Sequence, residues 1–502
     1  MSLRASTLNA ATLLEDSSIF SPRRFSPNSQ LPNTLKKKKK IPAMEPAAVA
    51  VRRLHEAVGR LPYLPLPTTA ALDDLERAQT DPTLAREWAD HAATVRPVLH
   101  EHVVPLLESF LCTKQRLGSA VERRLYADMA PAALLDRMLR CRPLAFLNAS
   151  DDYRLRDGVT QGSGGFERIG TADEVAGPLR LEQLMSYDEM AIAALLSVAL
   201  LMPVITGESS KLAMDNRTGV YVGVIGARYE KAPPTHAHRA ERRELLAAWA
   251  RLYGREHLPT RDHLPTYDEA VSRRKTEPDA LLQVRQHRFF LRSDMSFLSR
   301  TPSFKSICID PFLREASDRA KEKGAKAYAH VVGLGLGVWM ATLMVQAFEA
   351  ALQELHPAKR KTEDKRRKGG RLAAITQGEL APQLEHIDTL DFSWFPSECK
   401  EATSLRHGAG CGAVRQVLFS NRNPAARLPS SEQPLLLVAM YAWDGNAYPG
   451  NEYWLGSLAA SGDPAAACCS AIPLLQNPEV NDALKGGATV LHPSGRRVEG
   501  GV

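Results

Sequence analysis

The sequence has no Cys-x-x-Cys pair, although seven cysteines are spread over its 502 residues, at 112, 141, 308, 399, 411, 468 and 469. An odd and scattered set builds neither a disulfide framework nor a zinc cage, so the thiols read as reduced in an intracellular protein without a metal. His236 and His238 make a His-x-His, with no acid or third histidine at ligand spacing. Positive charge is also missing where a nucleic-acid binder would need it. The net charge is +7, but Arg4, Arg23, Arg24 and the lysines at 36–40, against Glu15 and Asp16, hold all but one unit of it in residues 1–44. A nearly neutral body has no general affinity for phosphate backbones, and no nucleic-acid motif is present. Uninterrupted hydrophobic runs of membrane length are lacking too. The run at 190–205 is short and broken by Pro203, and reads as a buried helix. The run at 327–348 is punctuated by three glycines, with His330 and Gln346 inside it.

What is present is an apolar fraction of 44%, enough for one large core or two ordinary ones. Residues 1–45, basic and rich in Ser, Pro and Asn, read as a disordered tail. An organelle transit peptide, a nuclear signal in the five lysines, and a start at Met44 are the alternatives. Residues 46–147 show apolar spacing of three and four and predict an all-helical N-terminal region. From about 148 to 493 strand-like and helical stretches alternate. Strands are expected in 218–230, 305–309, 327–334, 384–395, 414–420 and 433–443, and helices in 311–324 and 337–355. The expected class is α/β, a mixed sheet with helices on both faces. The basic segment 356–371 reads as a solvated loop and 494–502 as a flexible C-terminus.

Two segments carry chemistry. After the strand-like AYAHVV come Gly333, Gly335 and Gly337, leading into a helix. Such a turn can present free N–H groups and a helix dipole to a phosphate or pyrophosphate, or can serve close helix–strand packing alone. Its spacing matches neither the Walker A loop nor the dinucleotide fingerprint. The second segment, AWDGNAYPGNEYWLGSLAASGD, follows the greasy PLLLVAMY. Asp444 is the first charge beyond the predicted strand, where open α/β sheets bind ligands. Turn residues fold the chain back toward Glu452, and Asp463-Pro464 has the form of a helix N-cap. Clustered carboxylates can activate water and stabilise an oxocarbenium-like charge, which suits cleavage of a bond to C1 of a ribose.

YVGVIGARYE, VVGLGLGVW, LDFSWF and AWDGNAYPGNEYW…SGDPAAACCS, followed by Asn477, Pro478 and Asn481, together resemble the MavL-like macrodomain family over roughly residues 179–481. The resemblance implies a macrodomain-like fold and metal-independent removal of mono-ADP-ribose from arginine, including arginine of modified ubiquitin. It places the functional acids at Asp444, Glu452 and Asp463. It places the ADP-ribose-binding turn at Gly333, Leu334, Gly335, Leu336, Gly337, Val338 and Trp339, with Asn446 and Asn451 beside the acids. No cofactor is implied beyond ADP-ribose as ligand and product. The partner is a mono-ADP-ribosylated protein rather than nucleic acid or membrane, and the expected location is cytoplasmic. A reader module that binds ADP-ribose without cleaving it is the alternative.

Overall fold

In the computed structural model the Val-rich run at 218–225 and the leucine-rich run at 435–443 lie side by side near the middle of a nine-stranded sheet. The structure describes residues 45–63, 70–147, 150–203, 218–225, 239–252, 305–332, 341–354, 384–401, 403, 414–422, 428–443, 445–450, 453–455, 471–485, 488–491 and 497–498. The strands are β1 (Arg96–His100), β2 (Ala145–Leu147), β3 (Asp152–Arg154), β4 (Gln161–Ser163), β5 (Leu196–Pro203) and β6 (Thr218–Ile225). They continue with β7 (Lys326–Val332), β8 (Ile387–Ser393), β9 (Gln416–Ser420), β10 (Leu435–Trp443), β11 (Thr489–Leu491) and β12 (Arg497–Val498). The large sheet runs β12-β11-β1-β5-β6-β10-β7-β8-β9, and β2, β3 and β4 make a separate small sheet.

From β6 to β9 every neighbouring pair is parallel, so the carboxyl ends of β6, β10, β7, β8 and β9 share one edge. β5 is antiparallel to both β6 and β1, which makes the sheet mixed. Consecutive residues of β7 are buried from Ala327 to Val331. Successive side chains point to opposite faces, so both faces of this strand are covered. The two faces differ in chemistry. Leu390 and Phe392 of β8 alternate with Thr389, Asp391 and Ser393. Phe392 packs edge-on against Phe348 of the helix Ala341–Glu354, with ring centroids 5.3 Å apart, and Phe348 meets Phe312 of the helix Asp310–Glu322. The opposite face carries Tyr328, His330, Asp391 and Tyr441, which register places on one side.

Several sequence expectations are corrected. Residues 46–147 are not all-helical, because Arg96–His100 is a strand inside the large sheet, between β11 and β5. Nor is 147/148 a domain boundary: β2 pairs with β3 across it, and Pro46–Val502 forms one compact unit. The run expected as a buried helix splits. A capping box, Ser186 with Glu189, starts a helix that ends at Ala193, and Leu196–Pro203 is strand. A run buried on both faces carries no periodicity to separate helix from strand. Lys305–Ile309, expected as a strand, is a π-helical turn that runs directly into the helix Asp310–Glu322. At the far end, Arg497–Val498 pairs with β11, so the segment 494–502 includes an ordered edge strand. Several prolines mark helix starts: Pro82 follows the N-cap Asp81, whose carboxylate accepts from Thr83 N at 2.8 Å. Among the described residues, no helix is long and apolar enough to cross a membrane.

The front is joined to the rest by buried ions. Arg96 of β1 forks onto Glu315 of the helix Asp310–Glu322, with Nη2 2.9 Å from Oε2, and Arg319 donates to the same carboxylate. Lys114, 2% exposed, donates to Glu122 at 2.6 Å, to Asp188 at 2.7 Å and to Glu241. These three acids could cage a metal ion, but the ammonium sits among them. Burial pulls the Lys114 ammonium down, but Asp188, Glu122 and Glu241 outweigh it and hold it above its ordinary value. Lys114→Met should leave the carboxylates uncompensated and cost about 3–5 kcal/mol in a urea melt. A loss below about 1 kcal/mol would mean that the acids find water or protons at little cost.

Candidate functional site

β10 outlasts its neighbour β7. Its residues 435–439 pair with 326–330 of β7, and its last residue, Trp443, pairs with Ile225 of β6. The chain then turns through Gly445, Asn446, Ala447, Tyr448 and Pro449, and Gly450 takes φ +88°, a value suited to glycine. Ala447 and Tyr448 are buried, so this turn is packed into the protein. Tyr448 N donates to Pro143 O at 2.9 Å and its hydroxyl to Arg140 O at 3.2 Å. Trp454 N donates to Gly450 O and its ring N–H to Pro449 O, both at 3.0 Å, closing the second half of the turn.

The front section holds this turn. Tyr63 meets the Trp454 ring edge-on at 5.4 Å, and Arg154 of β3 donates to Trp454 O at 2.8 Å. The Tyr63 hydroxyl accepts from Asn477 Nδ2 at 2.7 Å and donates to Glu479 Oε2 at 2.9 Å. Glu479 also takes Arg156 at 2.9 Å. Burial pushes the Tyr63 phenol far above its ordinary value, with Glu479 adding to it, so it stays a donor.

A second polar knot lies toward the carboxyl ends of β7, β8 and β9. Asp391 Oδ2 accepts from the Tyr328 hydroxyl at 2.7 Å and from Ser420 Oγ at 2.8 Å. The carbonyl of Arg422 receives Ser393 Oγ at 2.7 Å, Trp394 Nε1 at 3.2 Å and His330 Nε2 at 3.3 Å. A carbonyl only accepts, so His330 carries its proton on Nε2 and presents Nδ1 as a bare acceptor. The Arg422 guanidinium lies 5.0 Å from the centre of the Tyr328 ring. Among the described residues, His330 Nδ1, Asp391 Oδ1, Gln476 Nε2 and Asn446 Oδ1 are buried without a hydrogen-bond partner. Burial lowers the His330 pKa, against the opposing pull of the Arg422 carbonyl and Asp391, so the ring is neutral.

Of the residues assigned from sequence, Asn446 is described, half-buried in the turn beyond β10. Asp444, Asn451, Glu452 and Asp463 lie outside the described residues, as do Gly333, Leu334, Gly335, Leu336, Gly337, Val338 and Trp339. Their flanks fix the framework. Position 444 is one residue past the end of β10, position 452 falls between Gly450 and Tyr453, and position 333 directly follows β7.

A family model described as ADP-ribosylhydrolase MavL-like matches residues 71–363 and 372–494. The chain belongs to the MavL-like ADP-ribosylhydrolase family. It is 34% identical to ADP-ribosylarginine hydrolase CG3568 of Drosophila melanogaster over 444 residues, covering 80% of this chain and 78% of that one. It is 29% identical to ADP-ribosylarginine hydrolase CG2909 of the same organism over 443 residues, covering 80% and 79%. It is therefore a hydrolase whose family match takes in much of the helical front as well as the sheet.

Within this ADP-ribosylhydrolase, the two asparagines that marked the C-terminal motif are structural. Asn477 holds Tyr63, and Asn481 donates to Ala92 O at 3.1 Å and Leu475 O at 3.0 Å. Sequence reasoning missed Tyr63, Arg154, Arg156 and Glu479, for which no local pattern exists. It also assigned no role to Asp391, Ser393 and Trp394 in LDFSWF. Their signal was a period of two that sets polar Asp391 and Ser393 opposite apolar Leu390 and Phe392.

His330 gives a test of the knot. Above about pH 6.5 the ring is neutral in both folded and unfolded chains. Below it the unfolded chain takes up a proton that the native state refuses, so stability falls as pH drops toward the depressed native value. One such group contributes a slope of at most about 1.4 kcal/mol per pH unit. Urea melts at about pH 7.5 and about pH 5.5 should show a smaller loss in His330→Gln than in wild type. Equal losses would mean that the native ring titrates normally.

Proposed function

We propose that this enzyme hydrolyses the N-glycosidic bond between ADP-ribose and an arginine side chain of a mono-ADP-ribosylated protein. The observation that carries the reading is positional. Asp444, Glu452 and Asp463 all fall within the matched segment 372–494, and Asp444 directly follows the carboxyl end of a strand lying parallel to both its neighbours. Both similar fly proteins bear the name ADP-ribosylarginine hydrolase, which supports arginine as the linkage.

In this reading water attacks C1 of the ribose while the C–N bond to the guanidino nitrogen breaks. Asp444 orients the water and takes its proton. The departing nitrogen takes up a proton and leaves as part of a guanidinium cation. Glu452 and Asp463 hold the ribose hydroxyls or the guanidinium. A cationic leaving group suits clustered carboxylates better than the neutral acid released from a glutamate ester. The segment 333–339 takes the pyrophosphate through its backbone N–H groups, with Asn446 and Asn451 beside the acids. The chemistry runs without a metal. Arginine-modified ubiquitin is the substrate that the family resemblance names, and a cytoplasmic site of action agrees with the free thiols of Cys112, Cys141, Cys308 and Cys399.

The test is release of ADP-ribose from arginine-modified protein, ubiquitin included, beside direct ADP-ribose binding. Asp444→Asn should lower release about 100-fold or more with binding largely kept, and chelator should leave wild-type release unchanged. Binding by all variants and the wild type with release by none would establish a reader. Failure of the wild type to bind ADP-ribose would overturn both.

A further inference from the structure

Trp394 has a backbone that a bulky residue rarely adopts. Its φ is +62°, in the left-handed region where an aromatic side chain is strained, and one other described non-glycine residue, Asp151, shares the positive sign. The residue is 62% exposed, and it is the one aromatic among the exposed large apolar residues of the described part of the chain. The residue that adopts this backbone is exposed rather than packed in the core. The ring is held in place at the surface: its N–H is tied to the Arg422 carbonyl that also receives Ser393 and His330, and its backbone N donates to Ser420 O at 2.8 Å. The protein therefore maintains a rigid, exposed indole at a backbone cost, which is the property of a preformed contact surface.

Its position says what the surface is for. Trp394 is the first residue beyond β8, at the shared carboxyl edge. The sheet order is β10, β7, β8. The acid segment leaves β10, the glycine segment follows β7, and Trp394 follows β8. If the first holds the reacting ribose and the second the pyrophosphate, as in the function proposed above, the third lies where the far end of the same molecule falls. ADP-ribose has that chemical order: ribose, pyrophosphate, adenosine. We propose that Trp394 is a binding residue whose indole stacks on the adenine of ADP-ribose. This inference rests on the proposed function, and it gives LDFSWF a role that the acids do not.

Base stacking on an aromatic side chain contributes a factor of roughly 5–150 in affinity. Trp394→Gly removes the ring and relieves the backbone, and Trp394→Asn removes the ring in a residue type that tolerates the same φ. Trp394→Phe keeps a stacking face. ADP-ribose titrated calorimetrically should bind the Gly and Asn variants at least about fivefold more weakly, while their melting temperatures stay level or rise. The Phe variant should bind within a few-fold of wild type and lose the part of the tryptophan fluorescence change that ADP-ribose produces through Trp394. If the wild type binds ADP-ribose and the Gly and Asn variants bind it equally well, the stacking role is wrong and the proposed function stands. Unchanged ADP-ribose affinity with slower release from modified protein would overturn stacking in favour of a contact with the protein substrate. A wild type that binds no ADP-ribose fails at the level of the proposed function instead.

Discussion

The direction of β10 is the constraint on which the site depends. It runs parallel to β6 on one side and to β7 on the other, so whatever leaves it emerges beside the carboxyl ends of its neighbours. A strand antiparallel to either would have brought an amino end to that place. The acid segment inherits its location from this pairing, and the ladder is secured by side chains that are almost all apolar, from Leu436 to Tyr441. Burial of this strand therefore also sets the edge at which the chain enters the acid segment.

A turn containing Gly, Asn and Pro has little regular backbone pairing of its own, so something else must pin it. The front and the small sheet do so together. Tyr63 and Arg154 reach Trp454, Arg140 and Pro143 receive Tyr448, and Tyr63 is itself fixed by Asn477 and Glu479. The front in turn is bound to the sheet by β1 and by the fork of Arg96 on Glu315. What the front shows is packing: it carries no motif of its own, and its side chains hold the turn beyond β10. A change at Tyr63 or Arg154 acts first on the turn that carries Trp454.

This division explains what could be read from sequence. The strands at 218–225, 326–332, 387–393, 416–420 and 435–443 were legible because alternation and β-branched content are local. Residues 196–203 and 305–309 were misread because a short apolar run has no period to distinguish strand from helix. β1 was missed inside a helical neighbourhood because its partners, β5 and β11, lie about a hundred and several hundred residues away. Of the three acids, Asp444 has a place that follows from the sequence because it comes directly after β10, and the roles of all three belong to the proposed function. The clamp and the knot were not legible, since Tyr328 and Asp391 are separated by 63 positions, His330 and Arg422 by 92, Arg154 and Trp454 by 300, and Tyr63 and Asn477 by 414.

The polar face of the sheet is costly to maintain. A sheet buried on both sides is most stable with apolar residues on both, yet this one sets Tyr328, His330, Asp391 and Tyr441 on a single face and leaves polar atoms of His330, Asp391 and Gln476 unmet there. Each such atom costs about 1–3 kcal/mol when no partner is supplied. Native proteins rarely keep several of these together without a use for them. The opposite face, with Phe312, Phe348 and Phe392 interlocked, shows that the same strands can pack without that cost. The strained Trp394 lies at the same edge, so backbone strain and unmet hydrogen bonding concentrate at one end of β7 and β8. In the function proposed above, a polar ligand at that end of the sheet would supply the partners that these atoms lack.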